Sequence, residues 1–497
     1  MKYSIALCLG LLSVTAIFAQ TEKEKVIETV NKSTIEGHIY FLADDLLKGR
    51  ETGTPENKIA ASYLANTLRA SGAKPNPQTG TYYQEFQLMK VTPPTSLGLT
   101  LNNVGYKNMV AIKPSTIAYK GEVLYLGYGM EADYNGIDVR DKVVIIKGGS
   151  SETSDTRGAF GLIDEKLRLA NAAGAKGIVE FIDADKNTWG FIDHNFNTSK
   201  LESISGQDFN DKDSKEPQEL AYVWVHDPNQ MYTNKLKLNT PMIARLGVEG
   251  TKREHVTTQN VIGVIDGTDP TLKDEYIIYS AHYDHVGIGT PDKTGDTIYN
   301  GARDNAIGTT TVLSMAQNLA KYPTKRSALF ILFTGEEKGL LGSKHYVENP
   351  ALPLNQMVFC FNSDNGGYND TSLATIIGLP RTSAAQNIKD GVRAFGLEAI
   401  DDPAPEQGLF DRSDNVNFAA KGIPAPTFSL GFTAFNGDVT KYYHKPGDHA
   451  DNLDYNYLEK FFRAYVMTGR MIANDEKTPF WTKGDKYEAV GKKLYNK

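Results

Sequence analysis

Residues 276–285 read Tyr276-Ile277-Ile278-Tyr279-Ser280-Ala281-His282-Tyr283-Asp284-His285, an apolar strand-like run that ends in histidines and an acid. Two later runs, 328–337 and 357–364, have the same form and end in Glu-Glu and in Asp. Such runs alternate with amphipathic stretches such as 306–319, which predicts an α/β fold with helices on the faces of a sheet. Because ligands gather at the carboxyl ends of strands in such sheets, we expect these polar side chains to converge.

The polar side chains at the strand ends and in adjoining loops form one candidate site. Its members are His282, Asp304, Glu336, Glu337, Asp364 and His444. Each has an ordinary explanation alone, such as a helix cap or a stabilised helix start. Carboxylates and imidazoles in this ratio suit a pair of zinc ions, which need a bridging carboxylate and terminal ligands on each side. Asp284 is placed to hold the tautomer of His282.

The motifs around these residues are specific when taken together. They are 281–287, 300–306, 335–343, Tyr443-His444, and Arg412-Ser413-Asp414 followed by Gly422-Ile423-Pro424. With them the chain resembles the co-catalytic di-zinc aminopeptidases, a family that also includes glutamate carboxypeptidase-like enzymes. The resemblance covers about 257–474 and implies a zinc-exopeptidase catalytic domain, with a mixed central sheet and helices on both faces.

The resemblance also implies a role for each site residue. Two Zn²⁺ per chain would be held by His282 and Asp364 on one side, by Glu337 and His444 on the other, and by Asp304 as the bridge. Glu336 would be the general base that activates a metal-bridging water, and Tyr443 would help to stabilise the oxyanion. Arg412 would contact a carboxylate or carbonyl of the substrate. The peptide bond between Asp304 and Asn305 would be cis, which is rare for a residue other than proline.

The chain of 497 residues is long enough for more than one domain. We expect a helical N-terminal segment and first strands at 20–117, packed on the catalytic domain at 257–474. From about 118 the sequence pattern becomes typical of β-strands. The block at 118–256 resembles the protease-associated (PA) domain, a β-rich unit often inserted in this family. A tail follows at 475–497.

The first nineteen residues have the pattern of a secretory signal peptide. A positive start at Lys2 precedes an apolar run from Ile5 to Phe18 and the small residue Ala19, where we expect cleavage. The run is short for a helix that spans a bilayer. The mature chain would be periplasmic or secreted and would keep one cysteine, Cys360, so it would fold without internal disulfides.

Composition limits the classes of partner. Apolar residues make up 40% and charged residues 23%, a balance typical of a globular protein. Lys and Arg number 53 against 60 Asp and Glu, a net charge of −7 that gives no reason to expect nucleic acid or an anionic membrane as partner. We expect peptide substrates and no membrane contact after removal of the leader. The oligomeric state is not predicted by the sequence.

We therefore predict an exported zinc-dependent exopeptidase that removes N-terminal residues from peptides. Three alternatives share the fold: a glutamate carboxypeptidase-like exopeptidase, a single-zinc enzyme similar to glutaminyl cyclase, and an inactive peptide-binding protein. The presence of His282 with Asp304 argues against the second, and the presence of Glu336 argues against the third. A two-metal phosphoesterase could use similar ligands, but its motifs are not found. The residue preference and the role of the inserted block do not follow from the sequence.

Overall fold

The computed structural model describes residues 20–153, 155–204 and 220–497. The chain forms two compact units, one from residues up to 86 together with 258–497 and the other from 87–257. The leader predicted at 1–19 lies outside the described residues. Within the described ranges, no helix combines the length and the apolar character that crossing a bilayer requires.

The described helices are α1 (Glu22–Thr29), α2 (Lys32–Leu42), α3 (Pro55–Ser71), α4 (Thr156–Gly161), α5 (Ile163–Ala172), α6 (Lys186–Phe196), α7 (Gly308–Lys321), α8 (Leu341–Glu348), α9 (Ala385–Arg393), α10 (Asn415–Ala420), α11 (Tyr455–Asn474) and α12 (Glu488–Tyr495). The described strands are β1 (Lys74–Pro75), β2 (Tyr83–Thr92), β3 (Ser96–Leu101), β4 (Val104–Tyr106), β5 (Met109–Lys113), β6 (Ile117–Tyr125), β7 (Val143–Lys147), β8 (Gly177–Ile182), β9 (Lys200–Ser203), β10 (Ala221–His226), β11 (Met242–Glu249), β12 (Lys252–Ile265), β13 (Tyr276–His282), β14 (Gly287–Ile288), β15 (Ile298–Tyr299), β16 (Ser327–Phe333), β17 (Met357–Ser363), β18 (Leu373–Ile377), β19 (Glu398–Ile400) and β20 (Thr427–Leu430).

The first unit is built on a mixed sheet, as predicted. Its strands lie in the order β19-β18-β20-β17-β13-β16-β12-β2. Strand β13 is parallel to both β16 and β17, whereas β12 is antiparallel to β16 and β18 is antiparallel to β20. In the register of β13 with β16, His282 lies opposite Phe333, so these two parallel strands end together. The loops that follow β13, β16 and β17 therefore leave the same edge of the sheet.

Helices cover both faces of this sheet. Alternate residues of β13 enter different apolar clusters, with Ile277 and Tyr279 in one and Ile278 in the other, because successive side chains of a strand point to opposite faces. The first cluster includes buried residues of α1, α2, α3, α7, α9 and α11. The second includes residues of α8 and α10, with Trp481 from the chain after α11. The sheet is thus buried on both sides, which explains its nearly continuous apolar strands.

The N-terminal helices α2 and α3 of the first unit are separated by a tight loop. The loop follows α2, and α3 begins at Pro55 with the Thr54 hydroxyl accepting a hydrogen bond from the Asn57 amide at 3.2 Å. Gly49 in this loop has a φ of +70°, and a side chain there would collide with the carbonyl of Tyr299 at 2.4 Å. The backbone of this loop therefore lies against the backbone of the segment just before Asp304.

The second unit has a sheet of its own, in the order β4-β3-β11-β6-β7-β8-β10-β5. Strands β6, β7, β8 and β10 are parallel neighbours, while β3 and β6 flank β11 in antiparallel pairing. Apolar clusters lie on both faces of the sheet. The short strand β9 pairs with Leu88–Val91 of β2.

The boundary drawn at 118 from the sequence is wrong. Strands β3, β4 and β5 belong to the second sheet, and the unit begins at Gln87. The pairing that places β3 there is with β11, which lies more than 140 residues later and leaves no local mark in the sequence. The tail at 475–497 is part of the first unit and packs back onto it, with Trp481 3% exposed.

Candidate metal centre

Five segments of the first unit carry the candidate ligands. His282 is the last residue of β13, two loops follow the strands adjacent to it, β16 and β17, one segment is the turn over Ala302–Ile307, and one loop precedes α11. The peptide bond between Asp304 and Asn305 is cis, as expected from the resemblance. Gly301, at the start of the turn, has a φ of +62°, and a side chain there would lie 2.3 Å from the carbonyl oxygen of Asp304. The turn that presents Asp304 thus depends on a glycine.

Asp304 lies between two histidines. Its Oδ1 atom is 3.3 Å from Nε2 of His282, and its Oδ2 atom is 3.1 Å from Nε2 of His444. The residue is 4% exposed, so almost all of its surface is covered by these neighbours and the surrounding loops. A carboxylate whose two oxygens face two separate imidazoles has the arrangement of a bridging ligand.

The remaining candidates fall into two groups around this carboxylate. His282 Nε2 is 3.2 Å from Oδ1 of Asp364, and Glu336 joins these two in a cluster of atoms that could hold one ion. On the other side, His444 Nε2 is 3.1 Å from Oε2 of Glu337. The structure therefore brings all six candidates together.

The donors fit zinc. Imidazole nitrogen and carboxylate oxygen are among the ligands that zinc takes in proteins, at ~2.0–2.2 Å. Ligand atoms around a tetrahedral ion at that distance are about 3.3 Å apart. The contacts of Asp304 with His282 and His444, and of His444 with Glu337, are 3.1–3.3 Å long. The residues present could thus hold the ions that the sequence predicts with little movement.

The histidines carry raised pKa values without metal. Burial alone would lower the pKa of His444, but hydrogen bonds with Asp304 and Glu337 raise it to about 10. Burial acts in the same way on His282, whose pKa is nevertheless raised well above its usual value by the carboxylates of Glu336 and Asp364. For Glu337, burial and Asp304 oppose ionisation, yet hydrogen bonds with His285 and His444 hold its pKa at about 2. Protons on His282 and His444 therefore balance the ionised acids.

Glu336 differs electrostatically from its neighbour Glu337. Burial raises its pKa well above the usual range, His282 opposes this, and the carboxylates of Asp364, Glu337 and Asp414 raise it further. Its side chain lines a cavity next to the candidate ligands. A carboxyl group in such surroundings takes up a proton readily, which is the property that a general base requires.

Asp284 holds the loop after β16. Its carboxylate accepts hydrogen bonds from the backbone amides of Glu336 and Glu337, at 3.2 and 3.4 Å, and from the hydroxyl of Thr52 at 2.8 Å. Nδ1 of His282 lies closer to the Asp284 backbone carbonyl, at 3.2 Å, than to its carboxylate, at 3.8 Å. The carbonyl, rather than the predicted carboxylate, therefore orients the imidazole.

The loop before α3 reaches the centre through Arg50, a residue to which sequence reasoning gave no role. The guanidinium is 1% exposed and donates to the carbonyls of Leu42, Tyr283, Asn300 and Gly301. Burial lowers its pKa to about 10, and nearby acids, among them Asp284 and Asp304, counteract the shift. The signal available was an arginine in a glycine-rich loop, but its four partners are 8 to 251 residues away.

Sequence reasoning also missed the roles of His285 and Asp448. Nδ1 of His285 lies 2.7 Å from Oε1 of Glu337. Asp448 accepts from the backbone amides of Arg303 and Asp304 at 2.9 and 3.3 Å and forms an ion pair with the Arg303 side chain at 2.8 Å. Asp448 therefore connects the loop of His444 to the turn of Asp304.

A cavity opens beside the candidate ligands. His282, Asp304, Glu336, Glu337 and Asp364 line its polar side. The other predicted residues here are Tyr443, whose ring stacks on His444 with centroids 4.0 Å apart, and Arg412, whose guanidinium lies 6.0 Å from the Phe435 ring. The apolar part of the lining is formed by Ile377, Leu409, Phe432, Phe435, Val439. The cavity can hold a small molecule with one apolar end.

Residues 260–468 match the sequence model of Peptidase family M28. Aminopeptidase YwaD of Bacillus subtilis (strain 168) is 28% identical over 329 residues, 62% of this chain and 61% of that protein. A probable leucine aminopeptidase of Arthroderma otae is 26% identical over 223 residues, 43% of this chain and 57% of that protein. The chain thus spans about three fifths of the length of these curated relatives.

The fold has a counterpart among solved structures. The aminopeptidase from Aneurinibacillus sp. strain AM-1 superposes with a TM-score of 0.62 and 21% identity, over 92% of this chain and 97% of that one. At this level of identity the similarity establishes the fold only. The α/β architecture predicted from the strand-like runs is therefore confirmed.

Proposed function

We propose that the protein is a zinc-dependent aminopeptidase that hydrolyses N-terminal residues from peptides, because residues 260–468 match the sequence model of Peptidase family M28. The observation that carries the proposal is the position of Asp304, which lines the cavity and whose two oxygens face His282 and His444. The names of the two curated relatives support the same activity. The apolar part of the cavity lining favours substrates whose first side chain is apolar.

Two zinc ions per chain are proposed. His282 and Asp364 would hold one ion, Glu337 and His444 the other, and Asp304 both. Zinc in such a centre acts as a Lewis acid that polarises the scissile carbonyl and makes water more acidic. A single-zinc enzyme would hold one ion per chain and the proposed centre holds two, so metal analysis of the purified protein separates the two.

Glu336 is the proposed general base. Its carboxylate takes a proton from the attacking water and passes it to the leaving amine, and its raised pKa suits it to hold the proton between these steps. Tyr443 lines the same cavity and can donate its hydroxyl to the oxygen that becomes negative, while Arg412 can contact a substrate carbonyl or carboxylate. Asp284 acts on this step by fixing the backbone of Glu336.

The test is the variant Glu336→Gln, assayed with aminoacyl anilides in the presence of zinc. Loss of the base should lower kcat about 10²–10⁴-fold and leave the metal content near two per chain. Glu85→Gln, an exposed site on β2, is the matched control and should change neither quantity. A variant that loses metal would make Glu336 a ligand and contradict its proposed role, and no hydrolysis by the unaltered protein of apolar, basic or acidic substrates would overturn the proposal.

A glutamate carboxypeptidase-like exopeptidase is the second candidate, because Arg412 in the cavity could bind a terminal carboxylate. Dipeptides that differ at the N-terminus, compared with dipeptides that differ at the C-terminus, distinguish the two activities. Rates that follow the first residue support the aminopeptidase. An inactive peptide-binding protein would bind these peptides without hydrolysis.

Export and the nature of the inserted unit are further parts of the proposal. The N-terminal pattern supports cleavage after Ala19 and a periplasmic or secreted mature enzyme, so N-terminal sequencing of the exported protein should begin at Gln20. The insertion of 87–257 between parts of the first unit supports a PA-like role, in which the unit binds or admits peptides. Peptides are the proposed partners, with neither nucleic acid nor membrane.

A further inference from the structure

His285 is a fully buried histidine beside the candidate metal centre that none of the proposed steps uses. Its Nδ1 atom lies 2.7 Å from Oε1 of Glu337, while the other oxygen of Glu337 faces His444 at 3.1 Å. The carboxylate of Glu337 is thus held between two imidazoles, one on each oxygen. The two contacts differ in kind, because only His444 also touches Asp304 at hydrogen-bond distance.

The orientation of the His285 ring is fixed by its surroundings. A side chain on Gly301 would come within 2.6 Å of two ring carbons, so the backbone there lies directly against the imidazole. The ring also meets that of His444 edge-on, with centroids 5.4 Å apart. Among the described residues, Nε2 of His285 has no hydrogen-bond partner, which leaves Nδ1 as the engaged atom.

We propose that His285 is a positioning residue that donates its Nδ1–H to Oε1 of Glu337 and so leaves Oε2 free to bind the second metal. This inference rests on the proposed function, since it assigns Glu337 to a metal. A contact of 2.7 Å has the length of a charge-assisted hydrogen bond. Ligand atoms of His285, Asp304, Glu337 and His444 all lie within 4.8 Å of one another, so these four side chains could surround one ion. His444 is the better-placed ligand, because its Nε2 lies 3.1 Å from Oδ2 of the bridging Asp304, whereas Nδ1 of His285 lies 4.0 Å from the same oxygen.

Hydrogen bonds to metal ligands influence metal affinity about 10–100-fold. The isosteres of histidine allow this contact to be tested atom by atom. The amide nitrogen of asparagine can occupy the place of Nδ1, whereas that of glutamine reaches the place of Nε2. We therefore expect His285→Asn to keep zinc affinity within about threefold, and His285→Gln and His285→Ala to weaken one of the two sites about 10–100-fold.

The measurement is zinc binding to the full-length variants by competition with a chromophoric chelator, which needs no peptide hydrolysis and so is independent of the proposed activity. His38→Gln is the matched control, because His38 is also buried and engages Tyr63 through Nδ1 at 2.7 Å. All three substitutions at 285 remove the ring and could destabilise the fold. Urea unfolding of the metal-free variants measures this destabilisation separately from the effect on zinc affinity.

Restoration of zinc affinity by asparagine but not by glutamine supports the proposal. Equal affinity in all three variants would overturn it. A loss in the asparagine variant as large as that in the alanine variant, together with one imidazole fewer around zinc by X-ray absorption, would also overturn it and would make His285 a ligand.

Discussion

Zinc affinity is predicted to rise steeply with pH, because His444 holds a proton in the metal-free protein. Its hydrogen bonds with Asp304 and Glu337 raise its pKa to about 10 against the effect of burial, and zinc binds only the neutral imidazole. Binding at this site therefore expels one proton at every pH below about 10. Glu337, with a pKa of about 2, stays ionised throughout and adds no pH dependence.

The size of the rise in zinc affinity between pH 6 and pH 8 distinguishes this arrangement from a histidine with an ordinary pKa. With a pKa near 6.5, the neutral fraction rises only about fourfold between pH 6 and pH 8. With a pKa of about 10, it rises about a hundredfold over the same interval. The apparent zinc affinity of the site that contains His444 should therefore rise about a hundredfold between pH 6 and pH 8.

The assay is chelator competition at pH 6, 7 and 8, with the pH dependence of the chelator measured separately. The variant His444→Asn should lose the steep rise at one site and keep it at the other, where the pKa of His282 is also raised against burial. A rise of less than tenfold at both sites of the unaltered protein would refute the reasoning. The same shift predicts that protonated His444 stabilises the metal-free fold below pH 6.5, and that this contribution is lost as the pH rises through about 10.

Three further predictions concern groups around the centre. Arg50→Met leaves four carbonyls without their donor, and each unsatisfied carbonyl costs about 1–3 kcal/mol. Urea unfolding should therefore show a loss of at least about 4 kcal/mol, against less than about 1 kcal/mol for the exposed Arg393→Met. Gly301→Ala should weaken zinc binding because its Cβ would lie 2.3 Å from the Asp304 carbonyl oxygen, whereas Gly295→Ala, also at positive φ but in open space, should leave zinc affinity unchanged in the same competition assay. Tyr443→Phe should lower kcat about 10²–10³-fold with zinc content unchanged; a kcat within threefold of the unaltered protein would exclude its hydroxyl from oxyanion stabilisation.

The candidate ligands on the central strands could be predicted because the sequence carries their placement locally. His282, Glu336 and Asp364 each follow an apolar run, and parallel strands bring such ends to one edge. His444 lies in a loop with no such run, and it was found through the motif that it shares with a known family. Its position next to Asp304 depends on Asp448, whose contacts span about 145 residues.

The features that the sequence did not reveal depend on long-range pairing. The second unit begins at Gln87 because β3 pairs with β11, and no change of composition marks that point. Arg50 is polar, charged and in a loop, which ordinarily predicts an exposed side chain. It is buried because four carbonyls from separate segments converge on it, a property of the assembled chain.

The contacts around the candidate metal centre are of two kinds: those of the proposed ligand atoms, which zinc would replace, and those of the surrounding loops, which do not involve these atoms. Protons on His282 and His444 are the positive charges that zinc would replace, so the ligands can remain close together with or without metal. The contacts of Asp284 with the backbone of Glu336 and Glu337, and those of Arg50 with Tyr283 and Gly301, involve none of the proposed ligand atoms. Because these bonds form without metal and use none of the proposed ligand atoms, we expect zinc binding to require the release of protons rather than the folding of a site.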